Sequence, residues 1–188
     1  GLYIVTVTGT MESLGFDGCG WDFGVREVIN LGSMGWKDLS HAFEDCDLLS
    51  GLWGGDTSAV LNMDGMFENL RNAAPDTSGW DTSNVTTMYA MFRAAPRAQP
   101  DTAAWNTSNV TSMAELFAKT YFHSSSANPD TANWDTSNVR IMHRMFCKAK
   151  TFNQAIGSWN TSKVTNMHGM FESAISFNQP IGSWNTSN

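Results

Sequence analysis

This chain has little of what most functional classes depend on. Of its 188 residues only 11 are Lys or Arg against 18 Asp or Glu, a net charge of −7. Nucleic acid and anionic membrane surfaces need a basic face, so the deficit argues against both as partners. No apolar run approaches the roughly 20 residues that cross a bilayer, and no membrane insertion is expected. Cysteine is scarce, at three, and no Cys-x-x-Cys offers a structural zinc framework. Gly-x-Ser-x-Gly, a phosphate-binding loop and His-Glu-x-x-His are all missing, and the carboxylates are scattered. The expectation is a protein that is not an enzyme, with no cofactor and no metal.

What the chain does have is a period. Thr57-Ser58, Thr82-Ser83, Thr107-Ser108, Thr136-Ser137, Thr161-Ser162 and Thr186-Ser187 recur at steps of 25, 25, 29, 25 and 25 residues. Such regularity predicts a solenoid, in which one short unit stacks on copies of itself. The unit is clearest in Trp80-Asp-Thr-Ser-Asn-Val85-Thr-Thr-Met88-Tyr-Ala-Met91-Phe92 and in Trp159 to Phe171. Val85, Met88, Met91 and Phe92 predict a short helix or a run of 3₁₀ turns with one buried face, capped by Thr82 or Ser83. The stretches Phe152-Asn-Gln-Ala-Ile156 and Phe177-Asn-Gln-Pro-Ile181 predict short strands, stacked as a parallel ladder at roughly 4.8 Å. Pro75, Pro100 and Pro129 open copies in which strand character should weaken, since proline lacks an amide. The longer step is accommodated by an exposed loop at 121–128. The fold class expected is an α/β repeat solenoid of short strands and short helical turns. Its domains are an N-terminal cap over residues 1–35, with a strand at Tyr3–Thr8, and about six copies over 36–188, the last truncated. The abrupt start and the stop in mid-copy suggest a piece of a larger protein.

Columns of this repeat carry the chemistry on offer. Nine of the 11 methionines fill the two Met columns and read as filling for a narrow core. Cys46 shares a column with Ala95, Ala149 and Ala174 and reads as a small core residue; a Cys19–Cys46 disulfide stays open. Asp81, Asn106, Asp135, Asn160 and Asn185 follow each Trp. They read as a ladder of Asx turns, with a calcium ladder as the alternative. Asp76, Asp101 and Asp130 form a second such column. His143 and His168 share one column and read as a solvated pair. The repeat also generates glycosylation acceptors at Asn84, Asn106, Asn109, Asn160 and Asn185.

The strings Trp-Asp-Thr-Ser-Asn-Val-x-x-Met-x-x-Met-Phe and Phe-Asn-Gln-x-Ile-Gly-Ser-Trp resemble the repeats of BspA-like surface proteins, over Trp36 to Asn188. Gly35-Trp36-Lys-Asp-Leu39-Ser-His-Ala42-Phe43 resembles the first repeat of that family. The resemblance implies a leucine-rich-repeat-like, right-handed stack outside the cell or on its surface, acting in adhesion or protein recognition. The function expected is a recognition module of a larger protein that binds a protein, peptide or glycan. Specificity should lie at variable positions, of which Tyr89, Glu115, Arg140, His143, Arg144 and His168 are the candidate binding residues. The alternatives are a structural spacer that extends an adhesin, and an ice-binding threonine array.

Overall fold

The computed structural model describes residues 9–15, 27–28, 30–47, 49, 51–52, 54–120 and 129–187. Tyr3–Thr8, Cys19 and the loop 121–128, for which a strand, a disulfide and an exposed bulge were expected, lie outside them. Within the described residues the copies are stacked in register. One column of isolated parallel bridges links Ser13, Asp38, Asn62, Thr87, Ser112, Ile141 and Asn166 in order. A single two-residue pair adds to it near the start: β1 (Glu27–Val28) runs parallel to β2 (Gly51–Leu52).

Two local expectations are corrected. The bridging column falls between the Val and Met columns, not in the Phe-Asn-Gln-x-Ile stretch, where residues 152–156 form no strand. Phe152 and Ile156 are buried there, and the chain is already turning: the Trp159 amide donates to the Ile156 carbonyl. Nor does the Val-Met-Met-Phe stretch form a helix; no described residue is α- or 3₁₀-helical. The apolar spacing is the one expected, but the amides are shared differently. Met91, Arg93 and Ala95 donate back to Met88, Ala90 and Phe92, three residues earlier. The residues between them, Met88, Ala90, Phe92 and Ala94, donate forward to Ser112, Ala114, Leu116 and Ala118 of the next copy. A helix would keep all these amides to itself. The alternation requires left-handed residues, and Ala90 and Ala94 have φ of 53° and 54°. The same two places are filled by Glu115 and Lys119, then by Arg144 and Lys148. Each such residue costs about 1–2 kcal/mol, offset by an amide satisfied inside the stack.

The bridge at Ser13 reaches into the segment expected only as a cap. Glu12 there accepts from the Lys37 and Asp38 amides, and its carboxylate meets Lys37 Nζ at 2.6 Å. Of the cysteines, Cys46 is buried and disulfide-bonded, and Cys147 is free and buried. Burial, with the charge of Glu172 added, pushes the Cys147 thiol up from its ordinary value.

The core is a pair of aromatic columns flanked by aliphatic ones. Phe43, Phe67, Phe92, Phe117, Phe146 and Phe171 stack with centroids 5.4–5.9 Å apart. Trp105, Trp134, Trp159 and Trp184 do the same at 6.0–6.2 Å, with planes within 7°. Val85, Met88 and Met91 and their counterparts close the space between.

The repeated Thr-Ser pair works differently from the cap expected of it. Thr107 Oγ1 donates to the Asp135 carbonyl of the next copy at 2.9 Å, and Thr57, Thr82, Thr136 and Thr161 repeat the bond. All five are buried. The turn itself is capped by the Asx residue: Asn106 Oδ1 accepts from the Ser108 amide and hydroxyl. These hydroxyls are committed inside the stack. Replacing Thr107 with Val is expected to cost about 1–2 kcal/mol, because the Asp135 carbonyl loses its donor in a buried place. Urea denaturation of the variant measures it; a loss near zero would show that the bond contributes nothing. The Asn84 and Asn109 side-chain amides likewise bond back to the Ser58 and Ser83 carbonyls, both at 2.7 Å, which engages the nitrogens that glycosylation would use.

Candidate functional site

With the turns satisfied internally, the forward-bonded segment carries a cluster of polar side chains at the surface. There the copies differ most. Tyr89, Ala114, His143 and His168 occupy one column, Gly65, Ala90, Glu115, Arg144 and Gly169 the next, and Glu44, Glu68, Arg93, Cys147 and Glu172 a third. Because the copies are in register, residues about 25 apart in sequence become neighbours.

The structure joins these columns into one charged strip. Glu68 Oε1 bonds the Arg93 guanidinium, whose Nη1 is 3.5 Å from Glu115 Oε2; Glu115 Oε1 is 3.8 Å from His143 Nε2. Tyr89 lies against His143 with centroids 6.5 Å apart, although two copies separate them. Ala114 stands between in that column, and its small side chain lets the rings approach. The Tyr89 amide and the Thr87 hydroxyl both donate to Asp64 Oδ1 at 2.6 Å, which fixes the base of the tyrosine. Burial, then the charge of Glu115, raises the Tyr89 pKa. Burial lowers that of Arg93, but the hydrogen bond and charge of Glu68 and the charge of Glu115 outweigh it, so the guanidinium is held above its ordinary value.

Of the six residues expected to bind, three are therefore brought together: Tyr89, Glu115 and His143. Arg144 follows His143 in the same copy and is exposed; its stem lies over Gly169 of the next copy, where a Cβ would sit 3.3 Å from Cγ. His168 is exposed; among the described residues its ring makes no hydrogen bond, ion pair or ring contact, so the expected histidine pair does not form. Arg140 belongs to a different column, beside Thr86, Thr111 and Thr165, where its carbonyl accepts from the Thr165 amide and hydroxyl. Sequence reading missed Arg93 and Glu68, which link the strip. The signal was available: both stand one residue after the Phe column, a place filled elsewhere by Ala118 and Cys147.

The Asx columns are occupied by local bonds. Asp81 Oδ1 accepts from the Ser83 amide, and Ser83 holds the Asp81 carboxyl below the ordinary aspartate value, through its side chain and then its backbone amide. Asp56, Asp76 and Asp135 repeat this with Ser58, Ser78 and Ser137. The two carboxylate columns are thus accounted for as turns.

Stacked copies held by side-chain and backbone ladders define a repeat protein. Residues 37–125 and 119–188 match the family described as "Mycoplasma protein of unknown function, DUF285", and the chain belongs to that family. No curated protein and no solved structure matches the chain.

Proposed function

We propose that the chain is a non-catalytic recognition module that grips a protein, peptide or glycan partner through the strip containing Tyr89, Arg93, Glu115, His143 and Arg144. One observation carries this reading: the repeated residues are consumed by bonds between copies, whereas the strip varies and keeps polar groups at the surface. The reading includes a right-handed, leucine-rich-repeat-like solenoid akin to those of BspA-like surface proteins, placed outside the cell or on its surface as part of a larger adhesin. It assigns no catalytic residue. Among the described residues no helix is long and apolar enough to cross a membrane.

Mechanistically, copies in register offer the partner contacts at the spacing of adjacent strands, roughly 4.8 Å. Many weak contacts then add, with Tyr89 and the arginines as anchors. A glycan and matrix-protein array probed with the chain identifies the partner. Against that partner, the double substitution Tyr89→Ala, Arg144→Ala should weaken binding at least about tenfold, the loss of roughly 1.4 kcal/mol or more, with the melting temperature nearly unchanged. Unaltered affinity would move the site elsewhere. Failure to bind any probe in a broad screen would favour the spacer.

A further inference from the structure

At the N-terminal end of the strip, three side chains from two adjacent copies converge. His41 and Glu44 belong to one copy and Glu68 to the next, and each offers a ligand atom within 4.8 Å of the other two. Three features show how they are positioned. The His41 imidazole lies over Gly65, where a Cβ would collide with it, so glycine in this column makes the seat for the ring. His41 Nδ1 is already 2.7 Å from Glu44 Oε2. Glu68 has a side chain only 5% exposed, and Arg93 bonds one of its oxygens, Oε1; among the described residues the other has no hydrogen bond. Two carboxylates and an imidazole from two adjacent copies thus face one another, with a single guanidinium, that of Arg93, behind Glu68.

We propose that His41, Glu44 and Glu68 bind a divalent transition-metal ion of the zinc type. One imidazole nitrogen with two carboxylates is a donor set suited to such an ion rather than to calcium, which takes oxygen ligands. Zinc at roughly 2.0–2.2 Å from each ligand needs the donor atoms about 3.3 Å apart. His41 and Glu44 reach that spacing by side-chain rotation, since both keep contact with solvent. Glu68 needs no new anchor, because Arg93 orients it from behind, and Glu115 holds Arg93 in turn. The ion would replace the direct contact between His41 and Glu44, tie the two copies together, and keep one coordination position open to water or to an acidic group of a partner.

Zinc chloride titrated calorimetrically into the whole chain, in a buffer that does not chelate, tests this. The expected result is one ion per chain. His41→Ala and Glu44→Gln should each weaken binding by more than the roughly 10–100-fold that loss of an outer partner costs. His168→Ala should bind as the unaltered chain does. Both test residues lie at the surface, so circular dichroism should show their folds intact. Zinc should also raise the melting temperature of the unaltered chain and not that of His41→Ala. Absence of binding, or binding that survives both substitutions, would overturn the site.

Discussion

Replacing Phe92 with alanine will destabilise the folded chain by about 3–5 kcal/mol, the range for a large aromatic removed from a packed core. Phe92 is fully buried, with Phe67 and Phe117 stacked on its two faces at 5.4 and 5.7 Å and Trp105 beside it at 6.4 Å. Each neighbour belongs to an ordered column held by bonds between copies, so the walls cannot collapse without breaking the forward amide bonds of Phe92 and Ala90. The void therefore persists, and its cost adds to the lost burial. A urea titration should show the midpoint falling with an unchanged slope. A loss below about 1 kcal/mol would mean that the aromatic column is not a rigid core element.

The second large effect lies at Arg93. Arg93→Ala should cost about 2–3 kcal/mol, less than the roughly 3–5 kcal/mol of a fully buried pair, because the guanidinium keeps some solvent contact. Its side chain is 30% exposed, whereas that of Glu68 is only 5% exposed. Removing the cation leaves the Glu68 carboxylate buried and uncompensated, with Glu115 also losing its neighbour. The mechanism predicts a rescue: Glu68→Gln in the Arg93→Ala background should recover part of the loss, since it removes the stranded charge. If the double variant is instead less stable than Arg93→Ala, the cost comes from lost packing and not from charge.

The period and the buried columns were legible because burial leaves a compositional trace. Val, Met, Phe and Trp recur at fixed offsets, and those residues fill the core. The local conformation was not legible. An apolar spacing of three and four residues is shared by a helix and by these alternating turns, and only the next copy decides where the amides go. The left-handed positions were hidden for the same reason, since Ala, Glu, Lys and Arg fill them as readily as glycine does here. The role of the threonines was misread because capping is a local bond, and theirs reaches some 24 residues ahead. The charged strip was half legible. Tyr89, Glu115 and His143 stand out as exceptions in otherwise bland columns, but Glu68 and Arg93, which extend the strip, sit in another column. His41, Glu44 and Glu68 gave no signal, because no spacing rule joins a histidine to carboxylates three and 27 residues on until the copies are stacked.

The forward amide bonds also decide what this protein can do with copies of itself. Along an ordinary strand edge donors and acceptors alternate, so two identical edges can pair across a two-fold axis. Here Met88, Ala90, Phe92 and Ala94 all donate in one direction, and Met113, Glu115, Phe117 and Lys119 repeat the same sense one copy later. A boundary between copies is therefore single-sexed along this segment, with hydrogens on one side and oxygens on the other. Along this segment two like boundaries would meet donor to donor or acceptor to acceptor, while beside it the Thr86, Thr111, Arg140 and Thr165 amides donate the other way, each to the preceding copy. Unlike boundaries keep both sets of bonds, so whole copies could be gained or lost without disturbing their neighbours, while a copy turned end over end would lose the run of forward bonds.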